Sequence, residues 1–196
     1  MKALKRILAW LCLAVVAAGL AAAGIVGTPG YLMYRGALSE MPLEEKIESV
    51  RAQEGYVKLS DLPPIYTQAV VAAEDRRFYE HGGFDVISTA RAVLANLRTG
   101  TLAEGGSTLT QQLAKNLYFT QEKKFTRKAA ELFMAWALER EYTKDEILEL
   151  YVNSIYFGDG YYCVRDASQG YFGKDPIDMT DYESTLLAGI PNAPSV

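Results

Sequence analysis

Residues 7–27 carry no charged side chain and are rich in Ala, Leu and Val, and no other stretch of the 196-residue chain restricts its fold as strongly. A helix needs about 20 apolar residues to cross a bilayer, so the run reads as a transmembrane helix. Lys2, Lys5 and Arg6 stand just ahead of it. Basic residues favour the cytoplasmic side, which leaves the N-terminus inside and the chain beyond about residue 30 outside. A cleaved signal peptide competes with this reading, because Ala21-Ala22-Ala23 offers small residues to a peptidase. The run is longer than a usual signal core and continues past those alanines, which favours a retained anchor. The expected organisation is a basic tip and anchor over residues 1–30, a stalk with a short helix and the start of the domain over 31–60, and one domain over 61–196.

With 49% hydrophobic and 22% charged residues, the chain has the composition of one ordinary domain plus that appendage. Taking the three N-terminal positive charges from the formal net charge of -4 leaves -7 for the remainder. A general nucleic-acid footprint is thereby excluded, and any basic site must be local. Cys12 lies in the apolar run and Cys163 far along the chain, so the two cannot sensibly pair. With a single histidine, a His/Cys zinc site is excluded as well. A hard divalent cation, Mg or Mn, on carboxylates and phosphate stays open.

Asp61 and the Pro63-Pro64 pair predict a helix start, Val70, Val71 and Ala73 give that helix a buried side, and Gly82-Gly83 is expected to stop it. Asp85 is placed to cap a following helix that carries Ile87, Arg91, Leu94 and Leu97 near one face and ends at Gly100, an element read as scaffold. Thr108 with Gln111, Thr143 with Glu146 and Thr180 with Glu183 have the spacing of a capping box. Leu132, Phe133, Trp136 and Arg140 recur at three- and four-residue steps, and so do Ile147, Leu148, Tyr151 and Val152. No alternating strand pattern is found. The fold class is mainly α.

Two carboxylates bracket a basic, hydroxyl-rich helix start: Glu74 in Glu74-Asp75-Arg76-Arg77-Phe78, then Ser107-Thr108-Leu109-Thr110-Gln111-Gln112-Leu113-Ala114-Lys115-Asn116, then Glu131 in Arg127-Lys128-Ala129-Ala130-Glu131. Breaking a bond at an anomeric carbon usually needs one carboxylate to move a proton, and a diphosphate leaving group needs cations and donors for its charge. Glu74 follows Val70-Val71-Ala72-Ala73, apolar neighbours that favour proton uptake. As a bare glutamate it would more often be a solvated acid paired to Arg76 or Arg77. Gly105-Gly106 leads into Ser107 and Thr108, where free N–H groups favour an anion. Capping explains Thr108 and Gln111 but does not require Gln112, Lys115 and Asn116. Arg127 and Glu131, four apart, would alone be a routine surface pair. Leu117, Tyr118, Phe119 and Phe125 interleave with Lys123, Lys124, Arg127 and Lys128. That mixture suits a headgroup interface, and a solvated basic loop fits the residues equally.

Glu-Asp-x-x-Phe-x-x-His-x-Gly at 74–83, Gly-x-Ser-Thr-x-Thr-Gln-Gln-x-x-Lys-Asn at 105–116, Arg-Lys-x-x-Glu at 127–131 and Ile-Leu-Glu-x-Tyr-x-Asn at 147–153 together resemble the peptidoglycan glycosyltransferases. These occur as monofunctional transglycosylases or as the glycosyltransferase domain of class A penicillin-binding proteins. The resemblance runs from about residue 61 to the last residue and implies a lysozyme-like domain. It implies Glu74 as catalytic base, with Asp75, Phe78 and His81 supporting its geometry on the substrate side. Ser107, Thr108, Gln111, Gln112, Lys115 and Asn116 would line the groove for the donor's diphosphate or neighbouring sugar. Arg127, Lys128 and the second catalytic glutamate, Glu131, would act on the pyrophosphate, Glu131 through a divalent cation or a basic group.

The implied reaction polymerises lipid II, with the GlcNAc 4-hydroxyl attacking the MurNAc anomeric carbon of the growing lipid-linked glycan, inversion, and loss of undecaprenyl diphosphate. The implied setting is the bacterial cytoplasmic membrane, single-pass with the domain outside, and the partners are lipid II, lipid-linked glycan, the membrane and cell-wall or division proteins. A lytic glycan-cleaving enzyme is one rival, but it would have little use for Lys115 and Arg127. A catalytically silent anchored scaffold is the other, and intact Glu74 and Glu131 argue against it. Glu149 and Asn153 read as structural. Relatives tend to carry Gly where Cys163 stands and Ala where Asp166 follows; a positive φ there would make Cys163 costly. The chain stops where relatives continue through more helix, which reads as a fragment.

Overall fold

The computed structural model describes residues 2–100, 105–119 and 125–192, without many of the side chains in 2–23 and without that of residue 192. The uncharged run lies in α1 (Lys2–Glu40), one helix that continues well past it and contains Pro29. Among the described residues no helix is long and apolar enough to cross a membrane.

The remaining α-helices among the described residues are α2 (Leu43–Arg51), α3 (Pro64–Glu74), α4 (Val86–Thr99), α5 (Leu109–Tyr118), α6 (Phe125–Glu141), α7 (Lys144–Val152), α8 (Val164–Phe172) and α9 (Asp181–Gly189). No strand occurs among the described residues, as the missing alternation predicts. The core is built around α5, whose Leu109, Leu113 and Ala114 are fully buried against Met134, Ala135 and Leu138 of α6 and Ile147, Leu148, Leu150 and Val152 of α7. Each fully buried Leu or Ile contributes roughly 1.5–3 kcal/mol. The short helix read as part of a stalk is α2, and its Leu43, Ile47 and Val50 belong to this core.

Thr143 with Glu146 and Thr180 with Glu183 form reciprocal capping boxes. Thr108 caps α5 through the Gln111 N–H, but the Gln111 side chain turns away to the Gly83 carbonyl, so this third start is a cap without the return bond. Helix α3 stops at Glu74 and not at the glycine pair. Asp75 leaves the helical region (φ -158°, ψ 81°) because its carboxylate is drawn to the Leu109 N–H at 3.0 Å and to His81 Nε2 at 2.9 Å.

The sides of two helices also differ from expectation. Only Ala92 of α4 is buried, while Ile87, Leu94 and Leu97 are exposed, so the predicted face looks outward. On α6, Trp136 is 64% exposed and Leu132 lies at the surface; Ala130, Met134, Ala135 and Leu138 face inward instead. The small residues admit neighbours at short range. A Cβ on Gly30 of α1 would stand 2.4 Å from that of Ala129, and one on Gly83 would stand 2.9 Å from the Ala135 carbonyl carbon.

Cys163 is extended (φ -146°) and caps α8 through its sulfur, so the feared glycine-like strain is absent there. Residues of positive φ do lie just upstream, at Gly158, Asp159 and Gly160. Glu149 accepts from the Tyr56 hydroxyl and the Leu59 N–H, and Asn153 exchanges two hydrogen bonds with the Val57 backbone, which gives both the structural roles expected of them.

Candidate active site

Glu74 is the last residue of α3, so its side chain leaves the helix where the chain turns off toward α4. It pairs with neither neighbouring arginine. Arg77 reaches Asp85 at 3.1 Å and Glu80 at 3.4 Å, and Arg76 donates to the Ala72 carbonyl. Glu74 Oε2 instead accepts from Gln112 Nε2 at 2.8 Å, and Oε1 is buried without a partner among the described residues. Burial pushes the carboxyl above its ordinary value and Asp75 adds to this, while the Gln112 N–H and the Lys115 ammonium pull the other way. A cavity of about 460 Å³ lies beside it, lined by Glu74, Asp75, Arg76, Asp85, Ser88, Arg91 and residues 105–108.

The second carboxylate is the centre of a charged network. Glu131 is 1% exposed and receives Arg127 Nη1 at 2.7 Å on one oxygen and Lys128 Nζ at 2.9 Å on the other. Lys128 also donates to the Ser107 hydroxyl at 2.7 Å, which ties α6 to the loop before α5. This is a buried pair and not a routine surface one. Arg127 Nε is buried without a partner among the described residues. Lys115 feels Glu74 and Glu131 as well as Arg127 and Lys128; burial and the two neighbouring cations lower its pKa. Among the described residues it makes no ion pair or hydrogen bond, so its ammonium remains available to an anion. Three cations thus face one buried carboxylate, a surplus of positive charge suited to phosphate oxygens.

Glu74, Gln112, Lys115, Ser107, Arg127, Lys128 and Glu131 are therefore brought together, and others are not. Phe78 is fully buried in the core. Gln111 is buried and spans to Gly83, a brace between α5 and the preceding loop. The Thr108 hydroxyl is engaged by the same Gly83 carbonyl and by the cap. Asn116 is half-buried and joins no hydrogen bond of the cluster. Lys123 and Lys124 of the basic-aromatic segment lie outside the described residues; Phe125 beside them is exposed.

Neither carboxylate group offers a natural metal centre. Both oxygens of Glu131 are taken by cations, and Arg127, Lys128 and Lys115 surround it, so these residues do not fit a divalent ion. Asp75, His81 and Asp85 come close together, but each is already satisfied: Asp75 by His81 and Leu109, Asp85 by Ser88, Ile87 and Arg77. Sequence reasoning gives Arg91 and Tyr151 only to helix faces, yet Arg91 stands on the cavity wall and the Tyr151 hydroxyl reaches Gln112 Oε1 at 3.4 Å. Local pattern carries no signal for either, since both meet the site only through tertiary packing.

Comparison with known proteins bears on this arrangement. Residues 41–196 match the family model described as Transglycosylase. The chain is 49% identical over 140 residues to penicillin-binding protein 1A of Neisseria lactamica, covering 71% of this chain and 18% of that protein. It is 48% identical over 139 residues to penicillin-binding protein 1F of Bacillus subtilis, covering 71% and 20%. The chain spans about a fifth of the length of these curated relatives.

Proposed function

The chain belongs to the transglycosylase family, and from that premise we propose that it is a peptidoglycan glycosyltransferase that polymerises lipid II. In this reading Glu74 takes the proton from the acceptor's GlcNAc 4-hydroxyl on Oε1, which has no partner among the described residues. The hydroxyl oxygen attacks the MurNAc anomeric carbon of the lipid-linked glycan, the bond from that carbon to the diphosphate breaks, and configuration inverts. Undecaprenyl diphosphate leaves with the bonding pair, its charge met by Lys115, Arg127, Lys128 and the Ser107 hydroxyl. Glu131 holds Arg127 and Lys128 in place, and no step passes through a metal.

The observation that carries the proposal is the pairing of one half-buried carboxyl, raised above its usual range, with a cation-rich cluster that shares Lys115 with it. A lytic enzyme would need the carboxyl and would gain little from that cluster. The uncharged run at residues 7–27, within a helix that continues to residue 40, supports a single-pass anchor with the domain on the outer face of the cytoplasmic membrane. Cell-wall or division proteins are the partners such a placement suggests.

The test is to give detergent-solubilised protein labelled lipid II with Mg2+ or Mn2+ and resolve the products by size, beside a Glu74→Gln variant. Polymer from the parent and none from the folded variant is the expected result. Polymer from both removes Glu74 as the base; none from either, with both folded, leaves the silent scaffold.

A further inference from the structure

We infer that Tyr151 is a positioning residue for proton transfer at Glu74: its hydroxyl holds the Gln112 carboxamide in the orientation that presents an N–H to the carboxylate. The inference rests on Glu74 acting as base in the proposed reaction. Tyr151 stands on α7 and is 1% exposed, with its ring in the core and its hydroxyl 3.4 Å from Gln112 Oε1. Burial, with Glu74 close by, raises the phenol far above its ordinary pKa, so it stays protonated and acts as the donor. The amide oxygen is thereby turned to Tyr151, and the amide nitrogen is left to donate to Glu74 Oε2 at 2.8 Å.

A carboxamide has two faces. Turned by half a revolution, Gln112 would set an oxygen against Glu74, an arrangement that repels an ionised carboxylate and suits only a protonated one. The hydroxyl of Tyr151 therefore selects the form of Glu74 that can accept a proton, acting through Gln112 and not by its own bond to the carboxylate. The other groups facing Glu74 are Lys115 on α5, Asp75 beside it, and Arg76, Arg91 and Asp85 across the cavity. None of these is bonded to the Tyr151 hydroxyl, so removing it leaves their charges in place.

The experiment uses the full chain in detergent with Tyr151→Phe, Gln112→Met and the double variant, each shown to be folded by circular dichroism. Two quantities are read: the titration midpoint of the Glu74 carboxyl by carbon-13 NMR, assigned by the signal lost in Glu74→Gln, and polymer formation against pH. In Tyr151→Phe both the midpoint and the acid limb move to higher pH; the rate falls roughly tenfold on the acid side and stays within about twofold at high pH. Gln112→Met moves the midpoint the same way, and the double variant moves it no further, as expected for two residues in one bond chain. An unchanged midpoint in either single variant, or additive shifts in the double, overturns the inference. Midpoints shifted in the variants, with a parent that makes no polymer, uphold the Tyr151–Gln112 device and count against the reaction instead.

Discussion

At the scale of single residues, the carboxylate proposed as the base is defined by what it lacks. Among the described residues Glu74 has one donor, Gln112, and one buried oxygen without a partner. Since a base works in its ionised form, and this carboxyl is raised mainly by burial, activity should climb with pH through a limb above that of a free glutamate, about 4.3. A pH–rate profile checks this, and a limb at or below the free value contradicts it. Arg127 offers a planar fork that an ammonium cannot copy, so Arg127→Lys is expected to lose roughly tenfold or more in rate while charge is kept. Glu131→Gln leaves clustered cations without their counter-charge and should cost roughly 3 kcal/mol in thermal or denaturant unfolding, besides its loss of rate.

At the scale of elements, the start of α4 has a titratable cap. Burial opposes ionisation of Asp85, yet the Ser88 hydroxyl, the Ser88 and Ile87 N–H groups and Arg77 hold its pKa down to about 2. Because the folded value lies below the unfolded one, near 3.9, the cap's stabilisation is present above about pH 4 and drains away as pH falls toward 2. Hydrogen exchange in the first turn of α4 should therefore quicken over that window, and Asp85→Ala should show the faster exchange already at neutral pH.

The same scale shows what a sequence can convey. The boxes at Thr143 and Thr180 and the buried residues of α7 are legible because each depends on groups a few residues apart. The inward sides of α4 and α6 are not legible, because periodicity announces a stripe without saying what covers it; on α6 the alanines meet α1 and Gly83, and the large residues turn out. The blocks holding Glu74, Lys115 and Glu131 are legible as chemistry. That Gln112 serves the first carboxylate while Gln111 is a brace is not, since both are amides at adjacent positions.

At the scale of the whole molecule, α1 is joined to the cation-bearing helix by a contact with no slack. Gly30→Leu would force α1 away from Ala129, one residue from Lys128 and two from Glu131, so it should lower polymer yield more than it lowers the melting temperature of the domain. The same contact sets a height. Gly30 comes three residues after Gly27, the last residue of the segment read as the anchor, about 5 Å along a helix axis. With the proposed anchor in a bilayer and the proposed reaction at the cluster, the cluster would be gauged against the membrane surface like a cutting tool on a fixed rest: a diphosphate would arrive at the depth of its own headgroup layer, and the nascent strand would be fed outward while its lipid end stays in the plane in which the next sugar is presented.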